Sequence, residues 1–264
     1  MNILVIAAHP DDEVLGLGGT IKKLSKNGNN VKIVIMATGI KARRSKNYTN
    51  SEKYEIDDKD SKILDSQIKV LRKESIKSSK ILGAKSIDFL NFPDNEMDTV
   101  SLLEVTKSIE KIISDFNPEI VYTHTNFDIN IDHRICNQAT LVATRPQANK
   151  KVKQVISYEV PSSTEWYFPS SFSPNIFVDI SHEINAKKNA LKCYTNEIEN
   201  FPEFDKHPIK FLGESKFYPE KDRTDNVNIE KIIKNKENRE VSSCLNDPDQ
   251  VFERSDYVAT IPDW

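Results

Sequence analysis

Apolar residues along the chain follow two alternating patterns. Short runs rich in β-branched residues read as strands: NILVIAA (2–8), VKIVIMATG (31–39), SIDFLNF (86–92), EIVYTHT (119–125), VISYEV (155–160) and NIFVDIS (175–181). The first two are apolar at successive positions, the pattern of a strand covered on both faces. Between them, apolar residues recur every three or four positions, which lines one side of a helix. Val14, Leu17, Ile21 and Leu24 mark a helix over 13–27, stopped by Asn27-Gly28. Ile63, Leu64, Ile68, Leu71 and Ile81 mark another over 61–82, stopped by Gly83. Further helices are predicted over 101–116, 133–144 (ended by Arg145-Pro146) and 183–199, with Arg72 and Glu74 of the second helix read as facing solvent. Residues 40–60 are charged, without periodicity, and read as a loop. Beyond about residue 205 the alternation fades, leaving one helical pattern at 228–240.

Alternating buried strands and helices predict an α/β protein, three layers deep, with a mainly parallel sheet and right-handed crossovers. The 264-residue chain can bury one large core, and the stretch past the alternation forms a divergent C-terminal tail. A net charge of −3 supplies no field to draw in nucleic acid or an anionic membrane. Cys136, Cys193 and Cys244 are scattered and odd in number, which fits reduced thiols better than a disulfide framework. No apolar run approaches the roughly 20 residues that span a bilayer. A cytoplasmic protein is expected, with a homo-oligomer left open.

Ligands of open parallel sheets bind beyond the carboxyl ends of the strands, and the unusual polar residues of this chain fall there. His9, Asp11, Asp12 and Glu13 follow the first strand, Arg43 and Arg44 the second, and Asp94, Asn95 and Glu96 the third. THTNFDINIDHR ends the fourth, with His124, Asp128, Asn130, Asp132 and His133, and Trp166 follows the fifth. A His and an Asp from one loop with a His from another make a three-ligand N/O set, the number that catalytic zinc sites use. A spare carboxylate beside them suits a general base. Asp11 and Asp12 are adjacent, so their side chains diverge and one can bind metal while the other faces substrate. The same acidic run also suits a helix N-terminus, whose dipole favours negative charge. Gly16, Gly18 and Gly19 give GxGG rather than GxGxxG and follow the acidic loop, so they predict a close approach of helix to sheet rather than a nucleotide fingerprint.

AHPDDEVLGLGG resembles the signature of the PIG-L/LmbE-like N-deacetylase family, and NIDHRICNQATLVATRP resembles its His-x-Asp-His metal motif. RKESIKSSKILGAKSIDFLNFPDNEMD and YEVPSSTEWYF with the segments after it are similar to intervening and C-terminal parts of that family, so the likeness covers about residues 1–210. The resemblance implies a Rossmann-like domain over 1–210, with 211–264 as a divergent extension. It implies one Zn2+ held by His9, Asp12 and His133, Asp11 as general base, and Asp132 as the group that orients a ligand. The implied reaction removes an N-acetyl group from an amino sugar of the N-acetylglucosamine type, free or in a glycoconjugate. Where the family often has a histidine, this chain has Asn130, which donates a hydrogen bond but cannot act as an acid. The proton for the leaving amine then falls to Asp11, with His124 as the alternative. Arg44, Asp94 and Trp166 are candidate substrate contacts. The rival reading is a non-catalytic sugar- or nucleotide-binding α/β domain.

Overall fold

The structure, a computed structural model, describes residues 1–40, 58–146, 151–161, 163–167, 172–195 and 255–260; of 58–61, Glu165 and 255–260 it describes the backbone. Five strands, β1 (Asn2–Ala7), β2 (Asn30–Ala37), β3 (Ser86–Phe92), β4 (Ile120–His124) and β5 (Gln154–Tyr158), pair in parallel in the order β3-β2-β1-β4-β5. Helices α1 (Asp12–Lys26), α2 (Asp58–Leu82), α3 (Leu102–Phe116), α4 (Ile131–Thr144) and α5 (Ile184–Leu191) connect or cover them. The α/β class and the mainly parallel sheet are therefore as expected. α5 stops short of the predicted 183–199; the predicted helix at 228–240 and the loop residues Arg43 and Arg44 lie outside the described residues.

The sheet has two further strands. β6 (Ile176–Asp179) was predicted; β7 (Ser255–Thr260) was not. β7 lies between β5 and β6, antiparallel to both. Its six residues, SDYVAT, carry a charge and three hydroxyls, so local periodicity does not reveal a strand whose partners lie far upstream in β5 and β6.

Pleating explains the two cores. Ile3, Val5 and Ala7 of β1 point to a cluster with Leu17 and Ile21 of α1, Leu71 of α2 and Leu191 of α5. Leu4, Ile6 and Ala8 point the other way, to Val105 and Ile109 of α3 and Ala139 of α4. β1 is thus buried on both faces, which is why its sequence is uniformly apolar. The crevice that matters opens between β1 and β4. The chain leaves β1 for α1 on one face and leaves β4 for α4 on the other, so the two loops separate at this switch point.

The three glycines of α1 let it sit deep. A Cβ built on Gly16 would lie 2.5 Å from the Tyr158 ring and 2.6 Å from the carbonyl oxygen of Glu159; one on Gly19 would meet Ile180 at 2.5 Å. Neither the backbone carbonyl nor a packed branched side chain yields cheaply. Gly16→Ala is expected to destabilise the protein by about 1–3 kcal/mol, read as a lower midpoint in a denaturant titration with an unchanged slope.

Candidate metal centre

Two loops build the centre. β1 runs out at Ala7, and His9-Pro10-Asp11 turns into α1, whose first residue is Asp12. Asp11 sits at the N-cap with φ 106 and ψ −29, a left-handed conformation that an aspartate rarely adopts. Such a residue stores on the order of 1–3 kcal/mol of strain and persists where its surroundings impose it. β4 ends at His124, and the loop after it closes on Asn130, whose Oδ1 accepts the backbone N–H of Asp132 at 2.9 Å and caps α4. That cap places His133 in the first turn, across the crevice from His9.

The side-chain donor atoms of His9, Asp12 and His133 all lie within 4.8 Å of one another. Asp12 is the hub: its Oδ2 is 3.4 Å from His9 Nδ1, 3.2 Å from His133 Nε2, and accepts the His9 backbone N–H at 2.8 Å. Each imidazole has its other nitrogen on a carboxylate. His133 Nδ1 is 3.0 Å from Asp128 Oδ2, and His9 Nε2 is 3.0 Å from Asp132 Oδ2. A neutral ring that donates through the carboxylate-bound nitrogen turns a lone pair toward Asp12 from the other, the usual arrangement of metal histidines. His133 Nε2 is buried 3.2 Å from Asp12 Oδ2, in a contact not aligned as a hydrogen bond. With the ring neutral, a buried nitrogen lone pair among two other ligand-type atoms fits a cation. Two imidazoles and one carboxylate suit Zn2+, and also iron or cobalt.

The orienting carboxylates are themselves fixed. Asp128 accepts the Asn130 N–H at 2.8 Å, the Ser163 hydroxyl at 2.9 Å and the Thr164 hydroxyl at 2.8 Å. Asp132 accepts the backbone N–H groups of Asn95 at 2.7 Å and Met97 at 3.0 Å. Of these two, only Asp132 carries a role expected from the sequence. The contact of Asp128 with His133 was recoverable in principle, since an aspartate five residues upstream lies just outside the helix that carries the histidine. The hydroxyls that hold it come from beyond β5 and were not recoverable.

The remaining candidates are dispersed. Asp94, buried, places Oδ1 3.3 Å from His9 Nε2, and with His9 and Asp132 forms a second cluster of ligand-type groups. Asn130 Nδ2 donates to Asn95 Oδ1 at 2.9 Å, so one of its two amide hydrogens is committed. Trp166 is 41% exposed, at the end of the 3-10 turn Thr164–Trp166 that Asp128 holds through Thr164. Arg44 lies outside the described residues. His124 is fully buried, stacked on His133 with ring centroids 3.9 Å apart, and its Nε2 accepts the Ala8 N–H at 2.8 Å. Burial, and next the charge on His133, hold its pKa well below the usual imidazole range. Glu74, read as solvent-facing, is instead buried, because the Thr195 hydroxyl and N–H donate to its Oε1.

Without a cation, the cluster holds protons. Burial opposes the charged form of His133, but Asp12 and Asp128 outweigh it and raise its pKa to about 9. His9 is likewise opposed by burial and raised well above the ordinary value through its hydrogen bonds to Asp12 and Asp132. A metal ion needs the neutral rings, so uptake must expel these protons. The sign follows: affinity rises with pH and levels off only above the raised pKa of about 9. Titration of metal-free protein with Zn2+ at pH 6–8 in buffers of different ionisation enthalpy is expected to show net proton release.

A mainly parallel α/β sheet with a buried cluster of His and Asp ligand-type groups at its switch point defines the class. Residues 4–144 match the family model described as GlcNAc-PI de-N-acetylase, PIG-L. The chain belongs to that family. It is 32% identical over 196 residues to a protein of Escherichia coli K12 described as the uncharacterized deacetylase YaiS, covering 72% of this chain and 88% of that one. It is 31% identical over 210 residues to the diacetylchitobiose deacetylase of Thermococcus kodakarensis, covering 76% and 70%. Among solved structures, a 4-carboxy-2-hydroxymuconate hydratase from Pseudomonas putida shares the fold with a TM-score of 0.61 at 20% identity, covering 100% of this chain and 97% of that one. One fold thus carries more than one reaction, and activity has to be argued from the site and the sequence relatives. No helix among the described residues is long and apolar enough to cross a membrane.

Proposed function

We propose that the chain is a Zn2+-dependent hydrolase that removes the N-acetyl group from an amino sugar of the N-acetylglucosamine type or from its conjugate. The observation that carries the reading is the convergence of His9 Nδ1 and the buried Nε2 of His133 on one oxygen, Asp12 Oδ2, at 3.4 and 3.2 Å. His9 Nδ1, Asp12 Oδ2 and His133 Nε2 are the ligand atoms. The names of the relatives supply the reaction class.

A zinc ion held by these residues would supply Lewis acidity and lower the pKa of its water from about 15.7 toward 7. Asp11, next in sequence to the ligand Asp12, takes a proton from the water that attacks the acetamide carbon. The remaining amide hydrogen of Asn130 is a donor for the carbonyl oxygen as it gains charge. The C–N bond then breaks, Asp11 returns its proton to the amine, and acetate leaves. Asp132 and Asp128 keep His9 and His133 in their tautomers through this cycle. Asp94, beside His9, accepts a hydroxyl of the sugar, and Trp166 offers a ring face at the mouth. Residues 1–210 carry the proposed site, and the 211–264 extension packs on the same domain through β7.

The test is acetate release from a panel of N-acetylglucosamine conjugates by protein of measured metal content. Turnover that tracks zinc content supports the reading. A fully loaded protein that releases acetate from no acetamide overturns the substrate claim, and a protein that takes up no divalent cation overturns the site.

A further inference from the structure

Asp11 poses a structural problem. An aspartate at a helix N-cap ordinarily spends its carboxylate on an amide of the first turn. Here the Asp11 side chain makes no capping hydrogen bond, while its backbone sits at φ 106. A neighbouring residue does the holding. The Asp11 N–H donates to Glu13 Oε2 at 3.0 Å.

Glu13 is fully buried, and its other oxygen takes the hydroxyl hydrogen of Tyr194 in a short hydrogen bond. Tyr194 is fully buried too, and lies three residues past α5. The next residue, Thr195, donates through its N–H (3.3 Å) and its hydroxyl to Glu74 Oε1 on α2. The chain leaving α5 is therefore fastened both to α2 and to the start of α1. A buried carboxylate is expensive unless fully hydrogen-bonded, and an apolar residue would fill the same space more cheaply. What an apolar residue would not supply is an acceptor for the Asp11 amide.

We propose that Glu13 and Tyr194 are positioning residues: together they impose the left-handed backbone of Asp11 and so aim its carboxylate into the crevice. The proposal rests on the reading of Asp11 as the base, and it adds that the aim is set through Glu13 by Tyr194, 181 positions from Glu13 in sequence. Neither residue touches the substrate. Both act through one backbone amide.

Tyr194→Phe removes only the hydroxyl, and Glu13→Leu removes both acceptors while keeping bulk. Glu13→Gln keeps an acceptor for the Asp11 amide and can donate to Tyr194. With zinc-loaded protein and an N-acetylglucosamine conjugate, Tyr194→Phe is expected to lower kcat about tenfold, with KM within about twofold and metal content unchanged. Glu13→Leu loses at least as much, and Glu13→Gln returns to within about threefold of the parent. Equal losses for Gln and Leu, or a change confined to KM or to metal content, overturn the proposal. Hydrogen exchange at the Asp11 amide, read by NMR with isotope-labelled aspartate, does not depend on turnover or on any variant folding. In the parent protein that amide is expected to be strongly protected, and exchange at the rate of an open loop overturns the proposal. Protection without any acetate release would instead overturn the deacetylase reading and leave the clamp in place.

Discussion

Asp11→Asn is expected to keep its metal and to lose turnover by about 10²- to 10⁴-fold, the range over which a positioned general base acts. The substitution is well suited to the site. Asparagine is among the residues that best tolerate a left-handed backbone, so φ 106 is no harder to maintain than with aspartate. The Asp11 N–H that Glu13 accepts is unchanged, and the ligand atoms belong to other residues. Only the capacity to accept and return a proton is removed. Acetate release and metal content measured on the same sample check it. Full activity in the variant would remove Asp11 from the mechanism; loss of metal would make it part of the ligand shell.

The second large effect concerns the hub. Asp12→Ala is expected to abolish stoichiometric zinc, and turnover with it, because both imidazoles converge on the one oxygen that is removed. Asp128→Asn provides the graded comparison. It leaves the three ligands in place but weakens the hold on His133 Nδ1, and is expected to cost about 10- to 100-fold in metal affinity. Metal analysis after dialysis against a chelator of known strength orders the three proteins: parent, Asp128→Asn, Asp12→Ala. Zinc retained by Asp12→Ala would point to the second cluster, His9 with Asp94 and Asp132.

What the sequence made legible was local. β1 and β2 are apolar on both faces because helices cover both sides of the sheet, so their runs stand out. The glycines of α1 announced a close approach, and Tyr158, Glu159 and Ile180 are what α1 approaches. His9, Asp12 and His133 stood out as polar residues after recognisable strands, and the choice of Asp12 over Asp11 came from the family resemblance. The supports of those residues were not legible. Ser163 and Thr164 reach Asp128 from the far side of β5, and Tyr194 reaches Glu13 from past α5. Glu74 looked exposed because helical periodicity alone does not show that Thr195 covers it. Each of these contacts joins residues at least 35 apart in sequence, beyond any pattern of period two or 3.6.

The insertion of β7 between β5 and β6 bears on how the polypeptide matures. β6 emerges from the ribosome well before the strand that ties it to the rest of the sheet. In that interval β5 presents an unzipped row of amides and carbonyls, a ready template for a neighbouring nascent chain. The last ladder to form also closes a long loop, which makes it slow. A translation product that breaks off before Ser255 is therefore expected to clump more readily than the full chain.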